Sequence, residues 1–279
     1  MISPDQRLSK LVRVAEAFVD IAECALVIAQ HEYPNLDVAG YLREMDLIAS
    51  RLQQRLPADA GKPHVIAMLN HFLFRELGYS GAHDDYYDPR NSCLNDVIER
   101  RKGIPITLSI LYMEIGRRLG LPLQGISFPG HFLVKCATEQ GVIVLDPFNR
   151  GISLSERDLR ERLKQSAGVA ADAQAPLSML LRSATQREIL SRLARNLKGI
   201  YADRDELEKL IAITNFILAI DPDDAAELRD RGMTYYKLDC FRAALADFEK
   251  VVAIDRDAAE DDAIRALIGE LKQKTRLLN

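Results

Sequence analysis

The chain has 279 residues, of which 28% are charged and 48% hydrophobic, and its formal net charge is −4. This length can bury a substantial core and suits one large or two modest domains, and the composition is that of an ordinary soluble protein. The slight acidic excess does not indicate nucleic acid or an anionic membrane as a principal partner.

The N-terminal residues and the cysteines predict a cytoplasmic protein. Residues 1–15 carry several charged side chains and no sustained apolar stretch, so no signal peptide is expected. No apolar run is long enough to cross a bilayer. The four cysteines are scattered without CxxC spacing, which argues against a zinc knuckle or a disulfide framework. We therefore expect neither a cofactor nor a metal.

Apolar residues at three- and four-residue steps predict helices in the first third of the chain. The first is expected over Leu8–Gln30 as one long amphipathic helix. The second follows Asp37, which has the side chain of a good N-cap. The third is expected over His64–Leu77 and ends at Gly78.

A polar and aromatic segment, 83–92, comes next. Its simplest interpretation is a surface loop, with a turn at Asp88-Pro89 and with Asn91 or Ser92 capping a short helix that follows. Alternatively, its side chains line a pocket. The irregular spacing of its carboxylates disfavours a hard cation. The pocket candidates in this segment are Tyr86, Tyr87, Asp88 and Asn91.

A helix beginning at Pro105 occupies the middle of the chain. Proline suits the first helical position, where its fixed φ fits and its missing N–H has no intrahelical partner. Apolar residues are spread around most of this helix, which predicts that it is buried, and Gly120 is placed to terminate it.

Three short strands are predicted after this helix, near 123–128, 132–136 and 142–145. The dipeptide Gln140-Gly141 predicts an antiparallel hairpin between the second and third. His131 precedes the second strand and Asp146 ends the third, so an imidazole and a carboxylate should lie on neighbouring strands. A further helix is expected to begin at Ser153.

A helix N-terminus followed by a His and an Asp is the order used by cysteine proteases and acyl transferases. Such enzymes need a nucleophile, a base and a group that orients the base. A thiol is activated at a helix N-terminus, but that position here holds Pro105, which cannot attack a substrate. A hydroxyl such as that of Thr107 would need a strong base pressed against it.

The remainder of the chain is predicted to be helical after an alanine-rich linker at 168–176. The segments Ala219–Asp223 and Ala253–Asp257 are 34 residues apart, a period that resembles tetratricopeptide repeats. Gly232, Tyr235, Ala244 and Phe248 occur at the positions where that repeat uses a small residue for close helix approach and larger ones to fill the gap. The first repeat is degenerate, and two repeats with a final helix near 261–277 are few for a free-standing solenoid.

Four motifs together closely resemble a bacterial family of transglutaminase-like proteins with tetratricopeptide repeats, the SirB-one type. They are Asp85–Ser92, Arg101–Leu108, Phe128–Phe132 and Leu145–Phe148, and the resemblance covers nearly the whole chain. Members of that family are mostly regarded as regulatory or uncharacterised proteins. In the wider superfamily, which is related to papain, the resemblance makes His131 the counterpart of the base and Asp146 that of the orienting acid. It also puts Pro105 at the place of the nucleophilic cysteine.

The resemblance implies an α+β, predominantly helical fold, with a transglutaminase-like core of a helix and antiparallel strands followed by a helical repeat tail. Two domains are expected, at 1–167 and at 177–279. The first of them should consist of a helical N-terminal region, 1–90, and a core, 91–167.

Two functional hypotheses follow. In the first, the chain is a catalytically degenerate regulatory or protein-interaction module. It would bind a protein or peptide through its repeat tail or through a cleft at Tyr86, Tyr87, Asp88, Asn91, Pro105 and Thr107, where His131 and Asp146 are remnants. In the second, it is an amide hydrolase or acyl transferase with Cys93 as nucleophile, His131 as base and Asp146 as orienter.

Overall fold

A computed structural model of the chain describes residues 4–167 and 176–277. These residues form two compact units, the core unit at 14–193 and the repeat unit at 4–13 and 194–277. All but the last residue of the predicted linker lie outside the described residues, so the domain boundaries at 167 and 177 stay a prediction.

The secondary structure is mostly helical. The described helices are α1 (Pro4–Val12), α2 (Ile21–Ala29), α3 (Val38–Gln53), α4 (Lys62–Asn70), α5 (Leu94–Arg100), α6 (Pro105–Arg118), α7 (Glu156–Ala167), α8 (Leu177–Leu180), α9 (Gln186–Asp203), α10 (Leu207–Ile220), α11 (Ala225–Lys237), α12 (Phe241–Ile254), α13 (Arg256–Glu260) and α14 (Asp262–Leu277). The strands are β1 (Ser80–Gly81), β2 (Lys102–Gly103), β3 (Leu123–Ile126), β4 (Leu133–Thr138), β5 (Gly141–Asp146) and β6 (Ile152–Ser153). The α+β, predominantly helical fold class is therefore confirmed.

The single long helix predicted over Leu8–Gln30 is wrong. Helix α1 ends at Val12, a short 3-10 turn follows, and α2 begins after Asp20. The Asp20 carboxylate accepts a hydrogen bond from the Glu23 N–H at 2.8 Å, so it caps a new helix. Apolar spacing on both sides of the break fits a continuous helix equally well and therefore could not reveal it.

Helix α6 is the centre of the core unit and is buried around its whole circumference, as predicted. Every residue from Pro105 to Gly116 is buried. The helix packs against α3 and α5 on one side and against β3, β4 and the short turn Pro147–Asn149 on the other. Gly120 ends the helix region with a φ of +77°, which is the left-handed conformation that glycine adopts without strain.

Four antiparallel strands in the order β3-β4-β5-β6 form the sheet of the core unit. The hairpin predicted at Gln140-Gly141 joins β4 to β5, with Thr138 paired with Gly141. The expectation of a helix beginning at Ser153 is wrong, because Ile152 and Ser153 pair with β5. Helix α7 begins after Ser155, whose N–H and hydroxyl both donate to the Asp158 carboxylate, at 2.8 and 2.6 Å.

The repeat unit contains the paired helices that the 34-residue period predicts. Helices α11 and α12 pack closely, and a Cβ added at Gly232 would lie 2.9 Å from the Phe248 ring, so a small residue is required there. In the degenerate first repeat, Lys198 replaces a small residue. Its ammonium lies 2.5 Å from Glu227 and 2.6 Å from Asp230, so this position exchanges close packing for ion pairs.

Candidate functional site

His131 and Asp146 are brought together where the neighbouring strands β4 and β5 begin and end, respectively. His131 follows the Pro129-Gly130 turn and precedes β4, whereas Asp146 is the last residue of the neighbouring strand β5. The His131 Nε2 atom is 2.9 Å from Asp146 Oδ1. The side chain of His131 is 11% exposed, and that of Asp146 is fully buried. The pair thus has the contact that a base and its orienting acid need.

The Asp146 carboxylate is fixed by several further contacts. Arg162 of α7 lies 2.8 Å from Oδ2, the Asn149 amide donates to Oδ2 at 2.7 Å, and the Asn149 backbone N–H donates to Oδ1 at 3.3 Å. Burial by itself raises the pKa of Asp146, but the bonds to His131 and Asn149 and the charge of Arg162 outweigh it and hold this pKa below its usual range. Asp146 is therefore an ionised, immobile carboxylate at neutral pH.

The Phe148 ring connects the His131 imidazole to further aromatic side chains. The Phe148 ring centroid lies 5.8 Å from that of His131, 4.5 Å from that of His83 and 6.5 Å from that of Tyr86. The Tyr86 and Tyr87 rings are 5.3 Å apart, and Tyr87 is 72% exposed. We call His83, Tyr86, Tyr87, His131 and Phe148 the aromatic cluster. Two of the predicted cleft residues, Tyr86 and Tyr87, are thus connected to His131 through the Phe148 ring.

The first turn of α6 lies close to this cluster. Gly103, two residues before Pro105, is the strand partner of Gly81. A Cβ at Gly81 would lie 2.7 Å from the Phe148 ring, so Phe148 packs directly on the backbone there. Because the same ring contacts His131, the imidazole and the start of α6 share one neighbourhood. Pro105 occupies the first position of that helix.

Thr107 has a structural role in the same turn. Its Oγ1 accepts from the Ile104 N–H at 3.1 Å and lies 2.7 Å from the Asn91 carbonyl oxygen, to which it donates. The hydroxyl therefore caps α6 and ties it to the preceding loop. These two contacts leave it no role as a nucleophile.

Thr107→Val is expected to lower the free energy of unfolding by about 2 kcal/mol, because it removes two buried hydrogen bonds and leaves the Ile104 N–H and the Asn91 carbonyl with only their long mutual bond of 3.4 Å. Thr107→Ser keeps the hydroxyl and should cost clearly less, about 1 kcal/mol for the lost methyl group. Urea denaturation of the three proteins measures both values. Equal losses in the two variants would contradict the capping role.

Asp88 and Asn91 lie beneath the surface. Asp88 caps a 3-10 turn by accepting from the Arg90 N–H at 3.0 Å and pairs with the Arg90 guanidinium at 2.6 Å. Asn91 is fully buried, and its side chain contacts Arg100 and the Asp85 carbonyl. The expectation that Asn91 or Ser92 caps α5 is wrong, because the N-cap is Cys93, without a side-chain bond.

Cys93 is buried at the start of α5, with an exposure of 2%. It interacts electrostatically with Tyr33. Burial, the hydrogen bond to Asp96 and the charges of Asp96 and Cys93 all raise the pKa of Tyr33. The ring of His131, by contrast, bonds to Asp146 and contacts Phe148.

Sequence reasoning missed Phe148, Arg162 and Arg192. Phe148 belongs to the Asp-Pro-Phe motif, so its proximity to Asp146 was a usable signal. The Arg162 and Arg192 side chains reach the site from α7 and α9, and no local pattern distinguishes them from surface arginines on amphipathic helices.

Two features bear on metals and membranes. In the parts of the chain that the structure describes, no group of three or more His, Cys, Asp or Glu side chains is arranged to hold a metal ion. Within the same residues, no helix combines the length and apolarity needed to span a bilayer.

A buried helix that packs against antiparallel strands carrying a His–Asp pair is typical of a transglutaminase-like protein, here with a helical repeat region. Comparison with family models agrees: residues 39–195 match the transglutaminase-like superfamily and residues 197–269 match the tetratricopeptide repeat. The chain belongs to the transglutaminase-like superfamily.

Its relatives share this organisation over most of their length. The UPF0162 protein of Xylella fastidiosa strain Temecula1 is 38% identical over 95% of both chains. A UPF0162 protein of Pseudomonas aeruginosa is 31% identical over 97% of this chain and 98% of its own. Protein SirB1 of Salmonella typhimurium is 25% identical over 85% of this chain and 87% of its own. No solved structure matches the chain. The resemblance inferred from the four motifs is therefore confirmed.

Proposed function

We propose that this protein is a non-catalytic member of the superfamily that regulates another protein by binding it through the aromatic cluster and the repeat unit. The observation that carries the proposal is Pro105 at the first position of α6. An imidazole and an ionised carboxylate are held nearby, but a proline has no group that they could activate.

The contacts of His131 and Asp146 give the pair a structural role without any chemistry. Asp146 joins β5, the turn after it and α7 through His131, Asn149 and Arg162. A buried polar network of this kind is costly to disrupt. It therefore accounts for the retention of both residues in a protein that catalyses nothing.

The surroundings of Cys93 support this proposal over the Cys93-dependent enzyme. A nucleophilic thiol needs a base at hydrogen-bond distance and access to substrate. Only 2% of the Cys93 surface is exposed, so a substrate has little access to its sulfur. The scattered spacing of the four cysteines of the chain also leads us to place the protein in the cytoplasm.

The repeat unit supports a protein partner. Helix pairs of the tetratricopeptide type present surfaces that take a peptide or a partner helix. Here α1 packs on α10 within the unit, so two repeats and an added helix share one core.

Site-specific photocrosslinking tests partner binding. A benzoylphenylalanine would replace exposed Tyr87 of the aromatic cluster, Met233 of α11 or, as the control, Leu47 of α3, which is 66% exposed. In lysate of the source organism, Tyr87 or Met233 should give a discrete product that purified components reproduce. The control should not give this product. Identical products at all three sites, or none, would refute binding through these surfaces.

A further inference from the structure

Arg192 places an unneutralised cation beside the aromatic cluster. Its guanidinium lies 5.6 Å from the Phe132 ring centroid, and its Nη1 donates to the Phe128 carbonyl at 3.1 Å. The same carbonyl oxygen accepts from the His131 N–H at 3.0 Å. The Arg192 guanidinium and the His131 N–H therefore share one acceptor, the Phe128 carbonyl oxygen.

No carboxylate pairs with Arg192 among the residues that the structure describes, although most neighbouring arginines are paired. Arg162 is engaged by Asp146, and Arg90 and Arg100 by Asp88. Burial lowers the pKa of Arg192, and the neighbouring Tyr86 only partly opposes this. An arginine has five N–H donors, and one carbonyl and one ring face leave several of them for another group.

Tyr86 adds a second donor to the same place. Its hydroxyl makes no hydrogen bond within the described part of the chain, and its ring is 38% exposed. Burial raises the pKa of Tyr86, with the charge of Arg192 acting against it, so the hydroxyl keeps its proton at neutral pH. Arg192 and Tyr86 thus interact electrostatically, and the guanidinium keeps donors beyond the one bonded to the Phe128 carbonyl.

We propose that Arg192 and Tyr86 form a subsite for a carboxylate carried by a peptide segment of the bound partner. A planar guanidinium matches a carboxylate with two parallel hydrogen bonds. One uncompensated cation balances one negative charge, which favours a carboxylate over a doubly charged phosphate. The exposed ring of Tyr87 extends the surface for the apolar side chains that flank the acidic group.

This inference rests on the proposed function, because it names the chemistry that the aromatic cluster recognises. It differs from that proposal in what it requires. Partner binding needs only contact, whereas the subsite requires selection of an acidic residue over its neutral isostere.

Immobilised nonapeptide pools test the selection directly with the full chain. The pools would be capped at both ends, with Glu, Asp, Gln or Asn fixed at the centre and no other acidic residue. A fifth pool would have central Gln and a free C-terminal carboxylate. The Glu or Asp pool, or the free C-terminal pool, should retain about tenfold more protein than its neutral counterpart, since a charge-assisted bidentate bond is worth at least that factor. Which pool is retained distinguishes a side-chain source from a C-terminal one.

Four variants separate recognition from folding. Arg192→Gln should abolish the preference for acidic peptides. Arg192→Lys keeps the charge but not the planar group that binds a carboxylate with two hydrogen bonds, so it should lose most of this preference. Arg182→Gln, which removes an exposed arginine that pairs with Glu188, should leave it intact. If Arg192→Gln unfolds, the lysine variant and Tyr86→Phe, with an expected loss of a few fold, still decide the question.

The outcomes are distinct. Equal retention of acidic and neutral pools, or a preference that survives Arg192→Lys in full, overturns the carboxylate subsite and leaves partner binding to the crosslinking experiment. Failure of crosslinking at Tyr87 together with acid-selective retention would instead keep the subsite and remove the partner contact proposed at that ring.

Discussion

Pro105→Cys is expected to create a thiol whose pKa is about one pH unit lower than that of a thiol at an ordinary helix start, and ultraviolet absorbance of the thiolate measures this without requiring reagent access to the buried position. The new sulfur would lie at the first position of α6, in the neighbourhood shared with His131. A helix N-terminus and a neighbouring imidazolium both lower the pKa of a thiol, and the thiolate is the reactive form.

Ala225→Cys is the matched control, because Ala225 is the first residue of α11 and follows the capping residue Asp224. It has the helix terminus but is not part of the aromatic cluster. Adding His131→Ala should raise the pKa of the Pro105→Cys thiol and leave that of the Ala225→Cys thiol unchanged. If His131→Ala has no effect, the imidazole does not serve the start of α6.

Iodoacetamide labelling of the unmodified protein tests its own cysteines. Its buried Cys93 should stay unlabelled while the chain is folded, whereas the exposed Cys240 reacts as an ordinary thiol. Labelling of Cys93 at neutral pH that disappears in His131→Ala would replace the non-catalytic proposal with the Cys93 enzyme.

Asp146→Ala is expected to lower the free energy of unfolding by about 3–5 kcal/mol. It removes the partner of Arg162, His131 and Asn149 at a fully buried position, and loss of one member of a buried charged network costs about this much. Chemical denaturation measures the loss. The control is Glu161→Gln, which breaks the exposed Arg157–Glu161 pair on α7 and should cost only a few tenths of a kcal/mol.

The contribution of Asp146 also depends on pH. Because its pKa is lowered in the folded protein, the charge stabilises the fold above about pH 4, the ordinary value for an aspartate in the unfolded chain. The contribution is lost as the pH falls from there through the folded-state pKa. The stability difference between the unmodified protein and Asp146→Asn should therefore be constant above about pH 4 and shrink below it. A difference that grows on acidification would contradict the ionised state of Asp146.

Local sequence signals predicted the features of the site that local geometry builds. Pro105 sets a helix start, Gln140-Gly141 a hairpin, and His131 and Asp146 stand at the ends of strands, so their approach followed from pairing alone. The core helix was recognisable because its apolar residues surround it.

The remaining features depend on competition between local and distant contacts. Asp20 starts a helix inside an unbroken apolar pattern, and Ile152-Ser153 is a strand only because β5 offers an edge. Arg192 reaches the aromatic cluster from a helix 106 positions after Tyr86. Side chains brought in over such distances have no signature in the residues next to them.

The complete burial of α6 also bears on synthesis at the ribosome. Its cover from α3 and α5 precedes it in the chain, but β3, β4 and the turn Pro147–Asn149 are translated afterwards. While about thirty further residues are synthesised, the apolar surface of α6 that later packs against these strands and this turn therefore stays exposed. A nascent chain in that interval offers chaperones an apolar surface that the finished protein never displays.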